Sequence, residues 1–195
     1  MQSRKLSPVA VTGIVIGVIA LFVAIFGVST YNGLAKQNQA VEAQWSQVEN
    51  VMQRRADLVP NLVSAVKGQM KHETQIFDDI AKARSAYGSA TSTKDKADAD
   101  AKLNQSVGTL LNVIQESYPD LKSSGNVSTL MTQLEGSENR IAVERKRYID
   151  AVRDYNSSVV TFPKNLFANM MGLGQKATFK ADPSAYKVPT VDLDD

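Results

Sequence analysis

The residues that could do chemistry in this chain are few, and their spacing limits what they can do. One histidine is present, His72, followed by Glu73. A zinc-peptidase helix of the form HExxH needs a second histidine one turn later, so that both imidazoles face one metal, and position 76 is Ile. A metalloprotease is therefore rejected, and a single His also argues against a Ser-His triad or a histidine metal site. The absence of cysteine removes thiol nucleophiles, thiolate metal sites and disulfides. Gly172-Leu173-Gly174 is a lone GxG with no strand before it, too little for a nucleotide-binding turn. Serines, tyrosines and carboxylates abound, but no nucleophile has an identifiable base, and Asp78, Asp79, Asp98 and Asp100 are expected on solvated helix faces. No catalytic residue, cofactor site or metal site is assigned.

The charges that do stand out sit on an apolar seam. From Val41 the apolar residues fall into a seven-residue repeat, with Val41, Val48, Leu62, Ile76 and Ala83 in one position and Trp45, Met52, Val59, Val66, Ile80 and Tyr87 in its companion. Arg55, Gln69 and Glu73 occupy seam positions of that repeat. A second seam, Val127, Leu134, Ile141, Tyr148, Tyr155 and Phe162 with Met131, Val152, Val159 and Leu166, contains Glu138 and Arg145. Buried charges persist only when paired, so heptad position suggests Arg55 with Glu138 and Glu73 with Arg145 across antiparallel helices. The alternative is that these long side chains run out to solvent along a loosely packed seam.

Those seams define the elements. One helix is expected over residues 37–87, kinked near residue 57 by Pro60, with a clean break at Pro60 as the alternative. Gly88 to Lys94, reading GSATSTK, makes a turn, and residues 95–117 carry apolar residues at helical spacing as a shorter second helix. Tyr118-Pro119 stops it, and a third long helix begins at Asn126 and ends near Phe162-Pro163. Residues 165–171 suit a short fourth helix, and residues 181–195 an extended or disordered acidic tail.

Upstream, residues 9–29 read VAVTGIVIGVIALFVAIFGVS, without a charge. About 20 apolar residues in a helix cross the ~30 Å hydrocarbon core with every backbone group satisfied, so this is expected to be a transmembrane anchor following a short basic segment, residues 1–8. A cleaved signal sequence is the rival, since Arg4 and Lys5 precede the run, but its length exceeds the usual apolar stretch of about 7–15 residues. Gly13, Gly17, Ala20, Ala24 and Gly27 line one stripe, with a GxxxG at Gly13 and Gly17. Small residues let membrane helices approach closely, which suggests self-association, although Gly and Ala are also simply frequent in such helices. Arg4, Lys5 and the amino terminus lie before the run and little basic charge follows it, so the positive-inside rule puts the bulk of the chain outside the cytoplasm. The net charge of +2, with both signs interspersed, gives no reason to expect nucleic acid as a partner.

Several blocks together resemble the LemA family: Tyr31-Asn32-Gly33-Leu34; the run from Trp45 to Val63, WSQVENVMQRRADLVPNLV; Val66-Lys67-Gly68 with His72-Glu73; Tyr118-Pro119; Glu138-Asn139-Arg140-Ile141-Ala142; Asp154-Tyr155-Asn156; and Phe162-Pro163 with Asn165. The chain departs from the pattern at Ile149, where Asn is usual after Tyr148, and at Leu173, where Gly-Phe is typical. The resemblance implies a bacterial membrane protein with one amino-terminal helix and an elongated helical bundle of poorly defined biochemical role. It also implies a link to the membrane protease HtpX, beside which relatives are often encoded. Some descriptions of the family place its bulk in the cytoplasm.

The expected architecture is all-α, a single transmembrane helix followed by an antiparallel up-and-down bundle over residues 30–180. The expected role is a non-enzymatic scaffold or interaction protein of the inner membrane. It would self-assemble through the stripe and present the signature polar residues Arg54, Asp57, Asn61 and Lys67 to a membrane partner. The alternative is a binding protein for lipid or another small amphiphile, which would need a cavity between the helices, whereas near-continuous heptads imply a filled core.

Overall fold

The computed structural model describes residues 7–179, which form helices and no strands. Arg4, Lys5 and the acidic tail at 181–195 lie outside the described residues. In order the helices are α1 (Pro8–Val66), α2 (Thr74–Ser89), α3 (Thr93–Ser117), α4 (Pro119–Ser123), α5 (Gly125–Val160) and α6 (Lys164–Met170). The described residues divide into two compact units, one of 7–42 with 150–177, the other of 43–149 with 178–179.

The second unit holds the heptad seams. Val48, Met52, Val59, Leu62, Leu103, Leu110, Ile114, Leu134 and Ile141 are almost wholly removed from water, and the repeat positions that fall in this unit supply most of its core, with Trp45 and Ile76 half-buried. Phe162 and Leu166, expected on the second seam, are instead exposed, because α5 ends at Val160 and the repeat does not continue past it. Cross-links fix the directions of its helices. Glu49 pairs with Lys96 and Arg55 with Asp100, so α1 and α3 run parallel. Arg55 also meets Glu138 and Trp45 meets Tyr148, so α1 and α5 run antiparallel. α2 returns between α1 and α3, giving an up-and-down order set by short turns. The start of α3 has a reciprocal cap, in which Ser92 Oγ accepts from the Asp95 amide at 3.0 Å and donates to Asp95 Oδ2 at 2.6 Å.

Helix α1 does not break at Pro60; it ends six residues later, at Val66. Proline cannot donate the bond that the Ala56 carbonyl would otherwise accept. Arg84 of α2 supplies a donor instead, its Nε lying 3.3 Å from that oxygen. The interruption falls at residues 67–73, where the expected helix over 37–87 is divided into two. Continuing the helix there would turn Gln69 and Glu73 toward the core at a desolvation cost. In the turn Gln69 stays in water, and Met70 is fully buried in its place.

The first unit contains the apolar run. α1 is long and apolar enough to cross a membrane, and none of the apolar window is buried within the chain. Leu34, Val41, Val152, Tyr155, Val159 and Ala168 form this unit's core. Asn156 holds residue 176 in a two-way amide contact, donating from Nδ2 to the Lys176 carbonyl and accepting at Oδ1 from the Lys176 amide, both at 2.8 Å. The last turn of α6 closes at Gly172, whose φ of 68° is a left-handed conformation open to glycine without strain. The Leu173 amide then reaches back to the Ala168 carbonyl at 2.9 Å.

Candidate functional site

The most constrained polar constellation lies inside the second unit, where α1, α3 and α5 meet. Its centre is Arg55, 1% exposed, on the seam position between Val48 and Leu62. The Arg55 Nη1 donates to Asn104 Oδ1 at 2.8 Å and to Glu138; Nη2 donates to the Asp100 carbonyl at 3.0 Å and to the Asp100 carboxylate. Asp100 is completely buried, and its other oxygen accepts from Arg145 Nη2 at 2.8 Å. Two guanidinium groups and two carboxylates thus neutralise one another, with Asn104 bridging toward Glu138 at 3.4 Å.

Aromatic rings cover one side of this cluster. Arg145 lies over the Phe179 ring at 5.1 Å, and Phe179, Trp45 and Tyr148 form a mutual triad with centroids 5.5–5.8 Å apart. On another side stands Tyr87, 3% exposed, whose hydroxyl makes no hydrogen bond among the described residues. Burial, reinforced by the Asp100 carboxylate, raises its phenol to about 12 against the opposing influence of Arg55. A phenol so held stays protonated at physiological pH. The cluster therefore cross-links three helices and fixes their register.

Of the two ion pairs expected from heptad position, the structure brings Arg55 to Glu138 and does not bring Arg145 to Glu73. Arg145 lies level with the part of α1 near Val48, as the Trp45–Tyr148 contact shows, whereas Glu73 stands in the turn at the opposite end of the unit. There Glu73 accepts from the Tyr118 hydroxyl at 3.4 Å. Asp100 corrects a second expectation, since it is the hub of the cluster rather than a solvated carboxylate. Its signal was in the sequence, because Asp100, Val107 and Ile114 are seven apart and the latter two are core residues.

The signature residues Arg54, Asp57 and Asn61 share one exposed face of α1, at intervals of three and four, away from Arg55. Asp57 Oδ1 accepts from Gln53 Nε2 at 2.9 Å on that same surface, and Lys67 is exposed in the turn that follows α1. In the small-residue stripe, a Cβ added at Gly13 or Gly17 would meet nothing within 4 Å, whereas one at Gly27 would lie 2.9 Å from Phe167 of α6. Ala20 and Ala24 are exposed. Between α2 and α3 a surface groove is lined by Ile76, Ala83, Lys82, Lys102 and Gln105, among others.

Fold and site define a helical protein whose amino-terminal helix can cross a membrane and whose buried charges hold a bundle together. The chain belongs to the LemA family, whose model matches residues 44–193. It is similar to magnetosome protein MamQ 2 of Paramagnetospirillum magneticum, at 26% identity over 180 residues, covering 79% of this chain and 66% of that protein. Magnetosome protein MamQ of Magnetospirillum gryphiswaldense is 22% identical with the same coverage. The chain thus spans just under two thirds of the length of these relatives. Family and span together make it a membrane-associated protein.

Proposed function

We propose that this protein is a single-pass, membrane-anchored scaffold of the bacterial inner membrane that works by binding rather than by catalysis. The observation that carries this reading is the contrast between the two polar sets of the bundle. The buried set, Arg55, Asp100, Glu138 and Arg145, is neutral as a group and engaged in holding helices. The exposed set, Arg54, Asp57 and Asn61, is aligned on one face of α1. A row of polar side chains on a helix braced from behind by a cross-linked core is preorganised for a protein partner. The filled seam positions favour this over a ligand cavity between the helices.

The partner proposed is a membrane protease of the HtpX type, with self-assembly through Gly13 and Gly17, and the bulk of the chain lies outside the cytoplasm, as the flanking charges indicate. The test is a photoreactive residue at Asn61 in intact cells, with mass spectrometry of its adducts. Adducts to a membrane protease or to a second copy of the chain support the scaffold. Lipid adducts alone would move the function to binding of an amphiphile.

A further inference from the structure

The first unit leaves an apolar surface that the bundle does not use. Leu166 and Met170, four residues apart on one face of α6, are 54% and 84% exposed, and Phe162, just before the helix, is 74% exposed. Val160 at the end of α5 is exposed beside them in sequence. The same short helix carries Asn165 and Asn169 one residue before Leu166 and Met170, and the exposed Lys164 at its start. Large apolar groups set among polar ones and a cation on so short a helix are what an interfacial helix presents to lipid.

The position of α6 within its own unit says what covers this face. Phe167 packs on α1, its ring 5.6 Å from that of Phe26 and its Cε1 2.9 Å from where a Cβ on Gly27 would stand. Phe26 and Gly27 belong to the last turn of the apolar run 9–29, after which the polar Thr30, Tyr31 and Asn32 follow. At ~1.5 Å per residue they lie only about 3–5 Å inside the edge of the hydrocarbon core. α6 is therefore held at the depth of the membrane–water boundary by Phe167, with Leu166 and Met170 exposed on the same short helix. Gly27 makes this close approach possible, since any larger residue there would meet Phe167.

We infer that α6 is a second membrane contact: an interfacial helix that lies on the bilayer with Phe162, Leu166 and Met170 in the lipid, docked to the anchor through Phe167 on Gly27. The inference rests on the reading of residues 9–29 as a membrane span. It gives the chain a lipid contact beyond the span.

Because the chain has no cysteine, spin labels can be placed singly without background. Leu166→Cys, Met170→Cys, Asn169→Cys, Ile19→Cys and Thr132→Cys variants of the full chain would be labelled and reconstituted in phosphatidylcholine–phosphatidylglycerol vesicles. Collision with oxygen, which concentrates in lipid, is compared with collision with a water-soluble nickel chelate. The expected result is lipid-like behaviour at 166 and 170, between that of Ile19 and that of Thr132, and water-like behaviour at 169. Water-like behaviour at 166 and 170 with Ile19 lipid-like overturns the interfacial helix while leaving the anchor intact. Exclusion of both reagents at 166 and 170 also overturns it, since a protein surface then covers the face. A water-like Ile19 overturns the anchor and the inference together.

Discussion

At the scale of single residues, the bundle depends on a carboxylate whose loss strands two cations. Removing one partner of a buried, hydrogen-bonded charge pair leaves the other desolvated and typically costs about 3–5 kcal/mol. Asp100→Ala is expected to fall in that range, since Arg55 is almost fully buried behind it and Arg145 reaches the same side chain. Glu73→Ala removes only a long hydrogen bond from Tyr118 and is expected to cost about 1 kcal/mol or less. Urea unfolding of the two variants in detergent, followed by circular dichroism, checks the contrast; equal losses would count against the cluster as the keystone. Tyr87 offers a second test beside the same cluster. Its folded phenol is raised from 10.0 to about 12, so the folded chain holds that proton more tightly than the unfolded one. Its contribution to stability is fully present below pH 10 and is lost as the pH climbs toward about 12. Tyr87→Phe removes a hydroxyl that has no hydrogen-bond partner among the described residues and should change stability by under about 1 kcal/mol at pH 7. Its unfolding midpoint should fall less than that of the parent chain between pH 10 and 12. Some alkaline loss remains through Tyr148, whose phenol is also raised by burial. The sequence made Arg55 and Glu138 legible because each interrupts a run of apolar seam residues. Asp100 was obscured because only Val107 and Ile114 continue its heptad, and Asp98 and Asp95 nearby suggested a solvated face.

At the scale of elements, Pro60 shows how a fold can absorb a helix breaker. A proline within a helix interior costs about 3 kcal/mol, partly through the carbonyl it leaves without a donor. Here that carbonyl, on Ala56, takes the Arg84 Nε of the neighbouring helix. The two features should therefore be coupled. Arg84→Ala is expected to destabilise the parent chain by about 1–2 kcal/mol, because it leaves the Ala56 oxygen unpaired. In a Pro60→Ala background the helix supplies its own donor at residue 60, and the same change should cost much less. A double-mutant cycle by urea unfolding measures the difference, and simple additivity would show that Arg84 does not serve the proline. The break after Val66 was hidden from the sequence for a related reason. The turn consumes residues 67–73, one full heptad, so Leu62 and Ile76 stay in the same nominal register across it and a continuous helix is the natural reading. Period alone cannot separate a heptad of helix from a heptad of turn. What separates them is the burial of Met70 in place of Gln69 and Glu73, a choice made by packing between helices rather than along one. Boundaries with local chemistry were legible at the stop at Tyr118-Pro119 and the start of the short helix after Pro163, whereas the Ser92 cap, which starts α3 at Thr93, lay inside the stretch read as a turn.

At the scale of the whole molecule, the stripe of small residues does two different things, and that division makes self-assembly testable. Gly27 is occupied by Phe167 within the chain, so a larger residue there should disturb α6 first. A Cβ added at Gly13 or Gly17 meets nothing within 4 Å among the described residues. An effect of Gly13→Leu with Gly17→Leu on assembly is therefore expected to act between molecules. In lipid, association is driven by close packing and by contacts that small residues permit, and two leucines on the stripe hold the backbones apart. The double variant should keep the far-ultraviolet dichroism and urea midpoint of the parent chain, yet shift its mass in mild detergent toward the monomer, as sedimentation equilibrium would measure. Gly27→Leu should do the reverse, leaving the mass unaltered while exposing a label on α6 to water. If the double variant retained the parent mass, Gly13 and Gly17 would be ordinary small residues of a membrane helix, and any assembly of this protein would have to run through the polar face of α1 at Arg54, Asp57 and Asn61.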